Sequence, residues 1–169
     1  MNTENFRKEY EKMCMPLGMY ALRLVGNVDD ANDIVQGAFL TAWKMVNDGK
    51  EIRNFKPYMY RAVHNAAMTF LRQNRPTEDL ESLSDAEPTE EMIDTSERDA
   101  ALWRAIDSLP PRCREVFLLS KRDGLSNAAI AEEMGISVKT VETQITKAFA
   151  ALRGHTNLIS GQVFFLPFL

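Results

Sequence analysis

The run from Gly124 to Arg153, GLSNAAIAEEMGISVKTVETQITKAFAALR, constrains the fold more than any other part of the chain. It predicts two helices around a tight turn. Ser126 is placed to cap the first, its hydroxyl accepting from an early backbone N–H. Ala129, Ile130 and Met134 recur at helical spacing. Gly135 ends that helix, because a residue without Cβ enters the left-handed C-terminal cap at no steric cost. Ile136 fills the corner, and Ser137 caps the second helix. Val141, Ile145, Ala148 and Leu152 form its apolar stripe. Lys139, Thr140, Glu142, Thr143, Thr146 and Lys147 lie on the other side. Short hydroxyls and lysines there can meet base edges and phosphates without filling a major groove with bulk. Ala128 and Ala131 are small enough for a close, steep helix crossing. The pattern is a helix-turn-helix; its bland competitor is an ordinary αα-hairpin with a solvated polar face.

A net charge of −4 sits badly with DNA binding until the chain is divided. Residues 1–75 hold eleven Lys/Arg and eight Asp/Glu, and residues 100–169 hold eight and six. Residues 76–99 hold one basic and ten acidic residues. Two mildly basic segments therefore flank an acidic connector, and DNA affinity follows the charge of the contacting face rather than the total. These small positive balances predict low bare affinity, with a partner supplying most of it. The connector acids, among them Glu87, Glu90, Glu91 and Asp94, are expected to screen the basic faces. The N-terminus is polar, without a signal-peptide pattern. No apolar run approaches the roughly 20 residues that span a bilayer, so the chain is expected to stay in the cytoplasm. Cys14 and Cys113 share no metal-ligand spacing and read as reduced packing residues.

The N-terminal segment predicts four helices. They run from about Glu4 to Met13, from Pro16 to Val25, from about Asp29 through Ala42, and from about Pro57 to Arg72. The loop Asn47–Phe55 separates the last two. Residues 76–95 are rich in Asp, Glu, Ser, Thr and Pro and predict a disordered or loosely held linker. Four more helices follow: about Ser96–Ser108, Pro111–Lys121, Asn127–Met134 and Val138–Arg153. Residues 155–169 are an apolar tail in which Pro167 disfavours a helix or central strand; folding back onto a groove is the bland reading and a docking peptide the other. The fourth helix is unusual in carrying Tyr58, Tyr60, Arg61, His64, Asn65 and Arg72. Aromatics interleaved with base-reading groups suit DNA whose bases are unstacked, although each aromatic taken alone fits a core position equally well.

On these residues the chain resembles the extracytoplasmic-function sigma factors of bacterial RNA polymerase, over about residues 5–153. DDANDIVQGAFLTAWKM resembles region 2.2, PYMYRAVHNAAMTFLRQN regions 2.3–2.4, and LPPRCREVFLLSKRDGLSNAAIAEEMGISVKTVETQITKAFAALR region 4. The resemblance implies an all-α protein of two small domains, residues 1–75 and 96–154, joined by the acidic flexible linker 76–95. It implies promoter recognition as a dissociable polymerase subunit, with no catalytic residue, cofactor, metal or small-molecule substrate. Asp33, Ile34, Gln36, Phe39 and Trp43 would dock on the β′ clamp helices of core RNA polymerase. Tyr58, Tyr60, Arg61, His64, Asn65 and Arg72, with the loop Asn47–Phe55, would open and read the −10 element. Ser137, Lys139, Thr140, Glu142, Thr143, Thr146 and Lys147 would read the −35 element, and the same domain would meet the β flap. An anti-sigma factor, membrane-bound or not, is an implied further partner. Two positions depart from the family pattern. Gly37 stands where the family usually has an acid, and Gly inside a helix costs roughly 1 kcal/mol against Ala. Thr69 stands where Asp is frequent.

Three rivals make different demands. A free-standing helix-turn-helix regulator would bind a duplex operator as a dimer and would not need residues 29–46 to bind polymerase. An enzyme would need a site, and His64 and His155 are the only histidines, with no Gly-rich phosphate loop and no HExxH spacing. A protein that only sequesters an anti-sigma factor would keep the fold and lose DNA binding.

Overall fold

The computed structural model describes residues 1–74 and 87–155, and all regular structure among them is helical. The chain divides into two compact units, Met1–Ala100 and Ala101–Leu169.

The first unit opens with α1, Thr3–Val25, capped by the Asn2 side chain, which accepts from the Asn5 N–H at 2.8 Å. Sequence predicted a break before Pro16, and the structure corrects it: α1 is one helix with Pro16 inside. A proline in a helix interior costs about 3 kcal/mol through its missing N–H and its ring clash. Met13, Leu17, Tyr20 and Ala21 form one stripe across that point, each at most 4% exposed. Each large apolar side chain so buried contributes about 1.5–3 kcal/mol, which outweighs the defect. Gly26 ends α1 in the left-handed region (φ 75°), and its N–H reaches the Leu22 carbonyl at 2.8 Å. Asn27 follows at once as the cap of α2, Val28–Asn47, accepting from the Asp29 and Asp30 N–H groups. After the loop, α3 runs Phe55–Asn74 with Pro57 in its first turn, where a missing N–H costs nothing.

These three helices enclose an aromatic core. Phe6 lies 6.2 Å from Phe39, 4.9 Å from Trp43 and 5.6 Å from Phe55, ring centre to ring centre. Deeper in, Tyr20 meets Tyr60 edge-on at 5.2 Å, and the Tyr20 hydroxyl bonds His64 Nδ1 at 2.8 Å.

Helix α4 spans Glu90–Asp107. The linker was expected to run to residue 95 and this helix to begin at Ser96, so six linker residues are in fact helical. Thr89 Oγ1 accepts from the Met92 N–H at 3.3 Å, and Glu90 and Glu91 occupy the first turn. Acids favour that end of the helix dipole. The composition that reads as disorder is thus also that of a helix start. The expectations for residues 76–86, and for the tail from residue 156, fall outside the described residues.

In the second unit α5 is Pro111–Lys121, α6 is Asn127–Met134 and α7 is Val138–Ala151, followed by a 3-10 turn at Arg153–His155. Val116, Ile130, Ala131 and Val141 form its core with Leu119, Leu125, Met134, Ile136 and Ile145 packed around them. Leu152 and Ala148 are fully buried as the stripe required, whereas Ala128 faces solvent. Cys113 is buried and its thiol donates to the Gln144 carbonyl at 3.4 Å, while burial pushes its pKa up.

Candidate functional site

The turn between α6 and α7 is built as its residues dictate. Ser126 Oγ accepts from the Ala129 N–H at 3.2 Å. Gly135 takes φ 64°, and the Ile136 N–H closes back on the Ala131 carbonyl at 3.0 Å. Ser137 Oγ then accepts from the Thr140 N–H at 3.0 Å and lies 2.8 Å from the Thr140 hydroxyl. With Val141 and Ala148 locked inward, Lys139, Glu142, Thr143, Thr146 and Lys147 are all exposed, and Thr140 is half-buried. These outer positions recur at intervals of three and four, so they form one face of α7. Thr143 Oγ1 donates to the Lys139 carbonyl and Thr146 Oγ1 to the Glu142 carbonyl, each at 2.9 Å. Both hydroxyls therefore keep their lone pairs as acceptors.

On α3, Arg61, Asn65, Thr69 and Arg72 form a second exposed stripe, with half-buried Tyr58 at its start. The Tyr58 hydroxyl reaches Met45 Sδ at 3.1 Å, which ties it to α2. Beside the stripe, Ile52, Arg53, Asn54 and Lys56 of the loop and first turn line an open groove of about 630 Å³ with Met1 and Asn5. Helix α2 turns Asp33, Gln36, Gly37, Leu40 and Lys44 outward. Gly37 leaves a groove of about 460 Å³ between α2 and α3, lined by Ile34, Ala38, Ala62, Ala66 and Phe70. Among the described residues no group of three or more His, Cys, Asp or Glu is placed to hold a metal. None of the described helices is long and apolar enough to cross a membrane.

Two family models match these two units. Sigma-70 region 2 covers residues 17–77 and Sigma-70 region 4 covers residues 99–152. The ECF RNA polymerase sigma factor SigL of Mycobacterium tuberculosis (strain H37Rv) is 31% identical over 153 residues, which span 87% of this chain and 86% of that one. SigW of Bacillus subtilis (strain 168), also an ECF RNA polymerase sigma factor, is 30% identical over 145 residues and 78% of each chain. This chain belongs to the ECF sigma factors. It is a non-catalytic initiation factor that directs RNA polymerase to promoters. Among solved structures, CnrH in complex with the cytosolic domain of CnrY aligns at 24% identity and a TM-score of 0.38, covering 93% of this chain and 90% of that chain. No partner placement follows from that likeness.

The sigma factor's fold buries some of the residues grouped by sequence and exposes others. Tyr60 and His64, grouped with the −10 contacts, are 1% and 6% exposed and belong to the core with Tyr20. Through Tyr20 they hold α3 against α1. Phe39, grouped with the polymerase contacts, is 4% exposed and packs on Phe6 and Tyr10, and Trp43 packs on Phe6. Asp33 and Gln36 are exposed as expected and Ile34 lines the Gly37 groove. Leu40, absent from the sequence-based set, is 55% exposed on the same side of α2 as Asp33 and Gln36. Its signal was available: positions 35, 38, 39 and 42 complete one helix face, which leaves 33, 36, 37 and 40 on the other.

Proposed function

We propose that this sigma factor divides promoter recognition between its two units and docks on polymerase through α2. In this reading α7 enters the major groove of the −35 element. The supporting observation is a helix capped by Ser137, whose inner side is fixed in the core while Lys139, Glu142, Thr143, Thr146 and Lys147 are exposed. Lys139 and Thr143 lie in the N-terminal half of α7, the part that reaches bases in this motif. With their hydrogens given to the backbone, the threonine oxygens suit the amino groups of cytosine or adenine, and the threonine methyls suit thymine. Lys147 is later in the helix and contacts phosphate.

The −10 element falls to the α3 stripe of Tyr58, Arg61, Asn65 and Arg72. A base extruded from the non-template strand costs a few kcal/mol, and the groove beside Arg53, Asn54 and Lys56 is where it would be received. The exposed face of α2, with Asp33, Ile34, Gln36 and Leu40, meets the β′ clamp helices, and the second unit meets the β flap. An anti-sigma factor would control access to these surfaces, and the work is done in the cytoplasm.

Selection from a promoter library with core polymerase, at two salt concentrations, tests the register of α7. Lys147→Ala is expected to weaken all sequences alike and to lower the salt slope by roughly one unit. Thr143→Ala or Lys139→Ala is expected to change the preferred −35 sequence, at a cost of about 1–3 kcal/mol at one position. An altered preference from Lys147→Ala, with none from the other two, would show that the helix docks in a different register.

A further inference from the structure

The segment Glu87–Arg98 lies between the two family matches, which end at residue 77 and resume at residue 99. It is nonetheless placed on the first unit by specific bonds. Glu87 pairs with Arg61 at 2.9 Å, Glu97 pairs with Lys56, and Asp99 accepts from Arg23 Nε at 3.0 Å. Ser96 is fully buried, with its Oγ 2.9 Å from the Tyr60 hydroxyl and 2.8 Å from the Ile93 carbonyl. Ser96 and Ala100 are both fully buried and share the inner side of α4. Arg61 is the first cation of the α3 stripe, and Lys56 borders the neighbouring groove.

We propose that Glu87–Ala100 is an intramolecular strap that occupies the cationic end of the −10 surface in the free protein and yields it to the DNA backbone. The proposal rests on the reading of α3 as the −10 helix. Its carboxylates sit where phosphates would sit. The ion pairs at Arg61 and Lys56 are largely solvent-exposed, and such pairs hold with about 0.2–1 kcal/mol each. A strap so held lowers non-specific affinity without blocking release. The Ser96–Tyr60 bond sets its position.

The test uses the full chain and a labelled, mixed-sequence single-stranded oligonucleotide, followed by fluorescence anisotropy at low salt. Glu87→Gln with Glu97→Gln is expected to tighten binding about three- to tenfold. Adding Arg61→Ala is expected to remove most of that gain. Glu90→Gln with Glu91→Gln removes the same charge from the same segment without touching the paired cations, and is expected to change affinity less than about twofold. Hydrogen exchange supplies the second readout: saturating oligonucleotide should speed exchange of the amides in residues 93–100 of the wild-type chain. Equal gains from both double variants, no gain in a folded strap variant, or unchanged exchange would each overturn the proposal. The −10 reading fails separately, if holoenzyme carrying Arg61→Ala opens promoters as well as wild type.

Discussion

Leu40→Asp is expected to weaken binding to core RNA polymerase at least tenfold, about 1.4 kcal/mol or more, while leaving the fold intact. Leu40 is the exposed apolar side chain at the centre of the outer face of α2. An apolar contact there, ringed by Asp33, Gln36 and Lys44, has the arrangement of an interface anchor with a polar rim. Because the residue faces solvent, its replacement should shift stability by no more than about 0.5 kcal/mol. Phe39→Ala makes the informative contrast. It removes a ring packed on Phe6 and Tyr10 and is expected to cost about 3–5 kcal/mol of stability. It would lose polymerase binding by unfolding. A pull-down on core polymerase, with circular dichroism and urea melts on both variants, separates the two. Wild-type retention of polymerase by Leu40→Asp would move the docking surface off this face.

The second large effect is alkaline loss of stability in the first unit. Burial raises the Tyr20 pKa to about 12, with Tyr60 adding to it. Burial likewise raises Tyr60 to about 12; the Ser96 bond opposes that shift, and Glu97 and Asp94 reinforce it. Both groups bind their protons more tightly when folded than the ordinary value of about 10. Their contribution is therefore complete below about pH 10 and is lost as pH rises towards about 12. Each group titrating only in the unfolded chain removes about 1.4 kcal/mol per pH unit. The pair would remove on the order of 3–5 kcal/mol across the window, close to the whole stability of a small domain. Tyr60→Phe leaves Ser96 its bond to the Ile93 carbonyl and is expected to flatten the slope by about half. The urea midpoint of this unit, measured stepwise from neutral pH to about pH 12, reads the effect. A slope unchanged by Tyr60→Phe would place the alkaline transition elsewhere.

How legible each element was depended on whether its ends were written in local chemistry. Helices α5 and α6 fall where sequence placed them because Pro111, Ser126 and Gly135 are unambiguous stop and start signals. Helix α7 ends at Ala151, two residues before the expected Arg153, where helix ends fray. The misread starts share a cause: a local signal was overruled by burial that sequence does not display. Pro16 argued for a helix start, yet the stripe from Met13 to Ala21 carries α1 through it. The acids after residue 86 argued for disorder, yet Thr89, Glu90 and Glu91 open α4, and Ser96 anchors it on Tyr60. At the sites, the outer face of α7 was legible because its alternation with the core is strict. On α2 and α3 the motif was legible and the face was not. A motif groups Phe39 with Gln36 and Tyr60 with Arg61, whereas in the fold Phe39 and Tyr60 are buried and Gln36 and Arg61 are exposed.

Promoter selection from a randomised duplex library, run with and without core polymerase, tests the two-unit account most directly. The account predicts no strong enrichment by the free chain. With polymerase it predicts two enriched blocks roughly two helical turns apart. Thr143→Ala should then alter only the upstream block, and Asn65→Ala only the downstream one. A single palindromic element, enriched by the free chain and indifferent to polymerase, would contradict it.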